Sequence, residues 1–319
     1  MHYLTKNNLI VAQKRVSKYV IETPTYKWPL LCKRAKRNIW IKHENFTPIS
    51  SFKIRGGINY ICELLKQNPA IKLVTTASTG NHGQSVSMAA KLFGLKSNIY
   101  MPKGISKNKI DSIIQLGGKI KIIGNDFDEA REAAISESKK PYCHFINSFD
   151  PWLVAGVATY AIEVFNKIIP DYIYVPIGLG SGCVGLIMVR NFYNHKTKII
   201  GVQAEGAPSY ALSYKQKKII KTNNSNTIAE GLATRVPDPM AFKIINNNIE
   251  DIILVSDNEM IESQNIILND TRSIAEPAGA ASLAGLLKDN KDNKTSVAIL
   301  SGGNINLDLL KTIINKKRC

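Results

Sequence analysis

Ser51-Phe52-Lys53-Ile54-Arg55-Gly56-Gly57 is the stretch on which the fold turns. It follows a strand pattern at Ile39–Lys42 and a turn from Asn45 to Ser50 containing Pro48, and it opens a helix. A lysine at a helix start sits at the positive end of the macrodipole, among backbone N–H groups with no intrahelical acceptor. That is a poor place for a purely structural cation. It suits an amine that must be neutral to attack a carbonyl, and the same N–H groups can hold a phosphate or a carboxylate. Taken alone, a solvated lysine is the simpler reading, so the other motifs decide.

Three further motifs each follow a strand pattern. Ser78-Thr79-Gly80-Asn81-His82-Gly83-Gln84 follows Leu73–Ala77 and precedes a helix. Small hydroxyl residues, glycine and Asn at such a turn make a nest of donors for a carboxylate, or equally a capping turn. His82 reads more simply as a packed or capping histidine than as a base. Gly178-Leu179-Gly180-Ser181-Gly182-Cys183-Val184-Gly185 follows Tyr172–Pro176 and enters a helix. Its glycines leave backbone N–H groups open to a phosphate. Gly180, Gly182 and Gly185 also fit G-x-G-x-x-G, and Glu205 follows the next strand, so this motif by itself supports a dinucleotide-dependent dehydrogenase. Ser301-Gly302-Gly303-Asn304 follows Ser296–Leu300, where a serine at the end of a parallel strand faces a ligand crevice. A turn and a helix cap explain that last motif equally well.

Further strand patterns lie at Asn98–Met101, Lys119–Ile123, Ile199–Ala204 and Asp251–Val255. Helical patterns at Gln84–Phe93, Phe127–Lys139, Leu153–Ile168, Glu259–Asn269 and Ala278–Lys288 alternate with them. The alternation predicts an α/β fold with mostly parallel sheets. Turn residues at Asn147–Pro151 mark one place where the chain can pass between lobes.

The 319 residues suffice for one large core or two lobes. Hydrophobic residues make up 44% and charged residues 21%, a globular composition. No run approaches the roughly 18 apolar residues of a membrane span, and the N-terminus reads as no secretory signal, which predicts a cytoplasmic protein. Cys32, Cys62, Cys143, Cys183 and Cys319 are scattered and form no C-x-x-C pair, so free thiols are expected rather than disulfides or structural zinc. The formal charge is +17. The lysines are spread out, and short basic runs such as Lys33 to Arg37 carry no interleaved aromatics. This disfavours nucleic acid as the partner and predicts attraction of anionic substrates and cofactors.

Four modest signals in this order are together specific. They resemble the pyridoxal-phosphate enzymes of the tryptophan synthase β-subunit fold, and within them the serine/threonine dehydratase and serine racemase group. The resemblance runs from about Tyr19 to Asp308, and S-F-K-x-R-G around Lys53 is its most diagnostic piece. Lys42-His43-Glu44-Asn45, Ala229-Glu230-Gly231-Leu232, Arg235-Val236-Pro237-Asp238-Pro239 and Ala275-Glu276-Pro277-Ala278-Gly279-Ala280 extend it.

The resemblance implies two lobes, each a mostly parallel twisted sheet flanked by helices, with pyridoxal 5'-phosphate in the cleft between them. Residues 1–63 and 150–319 would form a large cofactor-binding domain and residues 64–149 a small substrate-loop domain. Lys53 would carry the cofactor as a Schiff base and remove the substrate α-proton. Phe52 would lie against the ring, and Asn81 would bind its phenolate oxygen. Gly178, Leu179, Gly180, Ser181 and Gly182 would cradle the phosphate. Ser301 would face the pyridine nitrogen, with Glu276 nearby. Ser78, Thr79, Asn81 and His82 would bind the substrate carboxylate.

The implied activity is that of a lyase, a homodimeric ammonia-lyase converting L-threonine or L-serine to a 2-oxo acid and ammonia. A threo-3-hydroxyaspartate dehydratase or serine racemase is the alternative, and Thr79 could protonate the far face of the cofactor as a second catalytic residue. The glycine turn is one residue longer than the family's usual four-glycine loop. Gly156-Val157-Ala158-Thr159 stands where relatives often have Gly-Gln-Gly-Thr. At the divalent-metal site of some relatives, Glu205 is present but its partner position holds Ala211, so no metal is expected. The chain ends soon after Ser301, so a short form without a regulatory domain is expected.

Overall fold

The computed structural model describes residues 5–289, 291 and 293–315. Ten strands run in chain order as β1 (Thr25–Lys27), β2 (Asn38–His43), β3 (Leu73–Ala77), β4 (Lys96–Met101), β5 (Gly118–Ile122), β6 (Cys143–Phe145), β7 (Tyr172–Pro176), β8 (Lys198–Ala204), β9 (Asp251–Val255) and β10 (Thr295–Leu300). The chain divides into two compact units. The first comprises Met1–Val20 and Lys53–Val157; the second comprises Ile21–Phe52 and Ala158–Cys319. The first unit contains all of residues 64–149 and extends on both sides. The reason lies in helix Lys53–Gln67, which packs against helices Asn81–Leu92 and Pro151–Val157.

In the first unit, four parallel strands lie in the order β5-β4-β3-β6. Ile54, Ile58, Ile61 and Leu64 form the buried stripe of helix Lys53–Gln67 at helical spacing. Gly56 and Gly57 permit its close neighbours. A β-carbon at Gly56 would stand 2.8 Å from the Leu153 carbonyl oxygen, and one at Gly57 would overlap the Ser85 hydroxyl. The Gly56-Gly57 pair of the opening stretch is thus a packing surface.

In the second unit, six strands lie in the order β1-β2-β10-β7-β8-β9, all parallel except β1. Val202, Ala298 and Leu300 of the sheet join Ala280, Leu283 and Leu286 of helix Pro277–Lys288 in one core cluster. Because β2, β10 and β7 are parallel neighbours, the segments that leave their C-terminal ends emerge on the same edge. These are the turn leading to Phe52, the Ser301 loop and the glycine turn, which lie where open parallel sheets bind ligands.

The pattern expected as one helix over Leu153–Ile168 is two, Pro151–Val157 and Thr159–Lys167. The unit boundary falls at their junction, between Val157 and Ala158. The first helix packs on Lys53–Gln67 and the second on Ser181–Phe192, so each half follows its own core.

Ser50 has φ +51°, the left-handed region. This costs a β-carbon-bearing residue about 1–2 kcal/mol. Glycine escapes the cost but loses more chain entropy on folding. We therefore expect Ser50→Gly to stabilise the protein by about 0.5–1 kcal/mol in urea unfolding.

Candidate active site

The first unit carries Lys53 and the Ser78–Gln84 loop. Lys53 is the first residue of its helix. Its carbonyl accepts a hydrogen bond from the Ser85 hydroxyl at 2.7 Å, which ties the helix start to the helix that follows the loop. The Ser78 hydroxyl accepts the Gly80 N–H at 3.2 Å and the Gly83 N–H at 2.9 Å. Ser78 therefore shapes the nest from within, and its own hydrogen points back to the Gly80 carbonyl at 3.5 Å. Gly80 is the N-cap of helix Asn81–Leu92 and supplies no side-chain cap. Thr79 is half-buried beside it.

His82 is buried, and its Nε2 has no hydrogen-bond partner. Burial, and next the positive charge of Lys53, hold its pKa down to about 3. It is a neutral ring with one ring nitrogen still to be satisfied, a property the residue pattern did not reveal.

The second unit carries Phe52, the glycine turn, Glu276 and Ser301. The Phe52 N–H donates to the Ser301 carbonyl at 3.2 Å. The tip of the Phe52 ring comes 3.7 Å from where a side chain at Gly182 would begin. The Glu276 N–H donates to the Gly302 carbonyl at 3.1 Å. A β-carbon at Gly302 would lie 2.5 Å from Glu276 Oε1, so a side chain there would push that carboxylate aside. Ser301 is buried at the end of β10. All the candidate residues thus fall into two groups, one in each unit.

The glycine turn fits a phosphate. Gly180, at φ +99°, is the N-cap of helix Ser181–Phe192, which has no side-chain cap and no acidic residue in its first turn. Two of the turn's carbonyls are engaged elsewhere. The Leu179 carbonyl accepts from the Tyr210 hydroxyl at 2.8 Å and the Gly182 carbonyl from the Tyr160 hydroxyl at 2.9 Å. With the carbonyls so held, the helix start presents N–H groups to an anion. The two tyrosines were not found from sequence; their partners lie 31 and 22 residues away, with no local signature. Cys183, one residue beyond the turn, is an inert thiol whose pKa burial pushes up to about 12.

Gly185, the third glycine of the apparent dinucleotide fingerprint, faces no ligand. A β-carbon there would lie 2.9 Å from Ala158 Cα, so it serves close packing. Glu205 pairs with Lys288 at 3.4 Å. Among the described residues, no group of three or more His, Cys, Asp and Glu is arranged for a metal ion. The basic run also has local duties. Arg34 grips Asp270 with two hydrogen bonds of 2.7 and 3.0 Å, and Arg37 donates to the carbonyls of Leu286 and Asp289. Cys32, Cys62, Cys143 and Cys183 are free thiols, and Cys319 lies outside the described residues.

A family model described as "Pyridoxal-phosphate dependent enzyme" matches residues 16–302. The chain belongs to this family. Its cofactor is pyridoxal 5'-phosphate. Among members of the family, the biosynthetic L-threonine dehydratase of Haemophilus influenzae is 33% identical over 98% of this chain and 62% of its own length. The L-threonine ammonia-lyase of Thermotoga maritima is 32% identical over 98% of this chain and 79% of its own. The processed form of threonine deaminase isoform 2 from Solanum lycopersicum superposes with a TM-score of 0.90 at 29% identity, covering 97% of this chain and 93% of that one. The chain thus spans less than two thirds of the Haemophilus protein. Among the described residues, no helix is long and apolar enough to cross a membrane.

The site histidine makes stability pH-dependent, and a second histidine adds to this. His43 is held down to about 4, by burial first, with Lys42 lowering and Asn45 and Glu44 raising its pKa. Its Nε2 accepts the Trp28 indole N–H at 2.9 Å, which fixes the neutral form. Unfolded, both histidines take up protons as pH falls below 6.5, whereas folded they resist until about 4 and 3. Their contribution is complete above pH 6.5 and is lost as pH falls through that window. Each loses up to about 1.4 kcal/mol per pH unit. Urea unfolding at pH 5.5 should therefore show a protein about 2 kcal/mol less stable than at pH 6.5, with the slope reduced in His43→Gln.

Proposed function

We propose that this chain is an ammonia-lyase that dehydrates L-threonine or L-serine to 2-oxobutanoate or pyruvate with release of ammonia. The observation that carries the reading is the start of helix Lys53–Gln67. A lysine opens that helix directly after Phe52, whose N–H is committed to Ser301 at the end of β10. The names of the similar proteins, threonine dehydratase and threonine ammonia-lyase, support the same chemistry.

Joined through its aldehyde to an amine, pyridoxal phosphate supplies an electron sink beside the substrate Cα. The glycine turn and the start of helix Ser181–Phe192 would hold its phosphate. Phe52 would pack on its ring and Asn81 would donate to the ring oxygen. Ser301 would offer the ring nitrogen a hydroxyl and not a carboxylate, which would leave that nitrogen unprotonated and favour prompt loss of a β-substituent. The Lys53 amine, neutral when free, would accept the α-proton and hold it as an ammonium. The nest built on Ser78 would receive the substrate carboxylate through backbone N–H groups, with Thr79 and His82 beside it. His82 stays neutral and its ring hydrogen is engaged by the Ile146 backbone, so the Nε2 it leaves free is an acceptor and would take a hydrogen bond from a donor rather than bind the carboxylate as a cation. Thr79 would set how much racemisation accompanies elimination. The reading carries with it a cytoplasmic homodimer, which sedimentation would test for its oligomeric part.

The deciding experiment is a 2-oxo-acid assay across L-threonine, L-serine, D-serine and the threo-3-hydroxyaspartates. Turnover is expected with L-threonine and L-serine. Preference for the dicarboxylic substrate would overturn the assignment of substrate and leave the cofactor class standing.

A further inference from the structure

The Ser51–Phe52 peptide is held from both sides. Its carbonyl accepts the Thr47 hydroxyl at 2.8 Å, and its N–H donates to the Ser301 carbonyl at 3.2 Å. The Thr47 oxygen also accepts the Ser51 N–H at 2.8 Å. A hydroxyl has one hydrogen and two lone pairs, so a single side-chain oxygen engages both backbone groups of Ser51. Thr47 is 5% exposed and Ser51 0%, so water cannot replace these bonds. Around them, Ser51 bridges Gly302, the Gly303 N–H donates to the Ser50 carbonyl at 2.9 Å, and Asn304 Nδ2 donates to the Ile49 carbonyl at 2.8 Å. The turn that delivers Phe52 is laced to the Ser301 loop residue by residue, and Thr47 is the side chain at its centre. Its β-branch also restricts the rotamer that aims the hydroxyl.

We propose that Thr47 is a positioning residue for the cofactor ring. Its hydroxyl sets the tilt of the Ser51–Phe52 peptide. That tilt fixes the spacing between Phe52, which packs on the ring, and Ser301, which faces the ring nitrogen. This rests on the function proposed above. Thr47 touches neither ring nor substrate; it acts through the peptide it grips.

The test compares the full chain with Thr47→Val, which keeps the shape and loses the hydroxyl, and Thr47→Ser, which keeps the hydroxyl. Three quantities are measured: the dissociation constant of pyridoxal phosphate, the position of the visible band of the bound cofactor, and the melting temperature. Thr47→Val is expected to bind the cofactor about tenfold more weakly and to shift the band, with kcat falling more than KM changes. Thr47→Ser is expected to restore affinity and band to near wild type. A Thr47→Val protein with unaltered affinity and band but a lower melting temperature would show a merely structural threonine and overturn the proposal. Should Thr47→Val fail to fold, Asn304→Ser loosens the same lacing at Ile49. It must then shift the band and weaken the cofactor, and unchanged values would overturn the proposal. A wild-type chain with no pyridoxyl adduct on Lys53 would instead remove the functional reading itself.

Discussion

Lys53→Ala is expected to lower 2-oxo-acid formation by at least about a thousandfold while leaving a folded protein. The loss is large because one amine has two tasks, holding the cofactor and moving the α-proton. The fold is expected to survive because the helix is held by its backbone and its apolar face. Alanine is the better helix former at that position. The Ser85 hydroxyl bonds the backbone carbonyl of residue 53, which the substitution keeps. The helix stays anchored by Ile54, Ile58 and Ile61, all fully buried. Removing a cation from the positive end of a helix is, if anything, favourable. A second effect distinguishes this account from simple loss of a surface lysine. Lys53 lowers the pKa of His82, so in Lys53→Ala that pKa must rise, which NMR titration of the histidine would follow. Borohydride reduction of the wild-type holoprotein, followed by peptide mapping, should place the pyridoxyl label on Lys53. Retained turnover in Lys53→Ala would sink the reading, however well the protein binds its cofactor.

Much of this site was legible because its pieces are local. The Ser78 nest, the glycine turn and the Ser301 loop each sit directly after a strand pattern, and three of the anticipated strands, Leu73–Ala77, Tyr172–Pro176 and Asp251–Val255, have the bounds expected. What stayed hidden depends on partners far apart in the chain. β1 and β6 have three residues each, too few for a two-residue alternation to register. The break at Ala158 follows from two helices obeying different cores, which a continuous apolar pattern cannot show. Thr47 looked like an ordinary turn residue before Pro48; its importance comes from Ser51 being buried and from Ser301 lying opposite in space. Tyr160 and Tyr210 carry no local signature, and only their hydroxyls' partners reveal that they orient the turn. The dinucleotide fingerprint misled for the converse reason. Its spacing is local and present, but the third glycine is used for packing against Ala158.

Gly178→Ala tests whether the turn is built around an anion or is merely tight. A β-carbon at Gly178 would fall well inside van der Waals contact of the Gly231 carbonyl oxygen. That oxygen belongs to the 3-10 turn Glu230–Leu232, so no flexible side chain can yield. Either the glycine turn or the Glu230–Leu232 turn must move. The glycine turn is the one that gives way, because the Glu230–Leu232 turn closes on itself through the Leu232 N–H to Ala229 carbonyl bond at 2.8 Å. Moving Gly178 drags Leu179 away from the Tyr210 hydroxyl and rotates the N–H groups that would face the phosphate. The expected result is a folded protein that has lost about a hundredfold or more in affinity for pyridoxal phosphate, equivalent to two or more charge-assisted hydrogen bonds at about 1.5–3 kcal/mol each. Pyridoxal lacking the phosphate separates the two accounts. If the turn exists to hold the phosphate, Gly178→Ala must leave the weak binding of pyridoxal nearly unchanged while destroying the advantage that the phosphate confers. Equal losses for both ligands would mean that the substitution had disturbed the ring slot at Phe52 and Ser301 instead, and the phosphate role of the glycine turn would have to be given up.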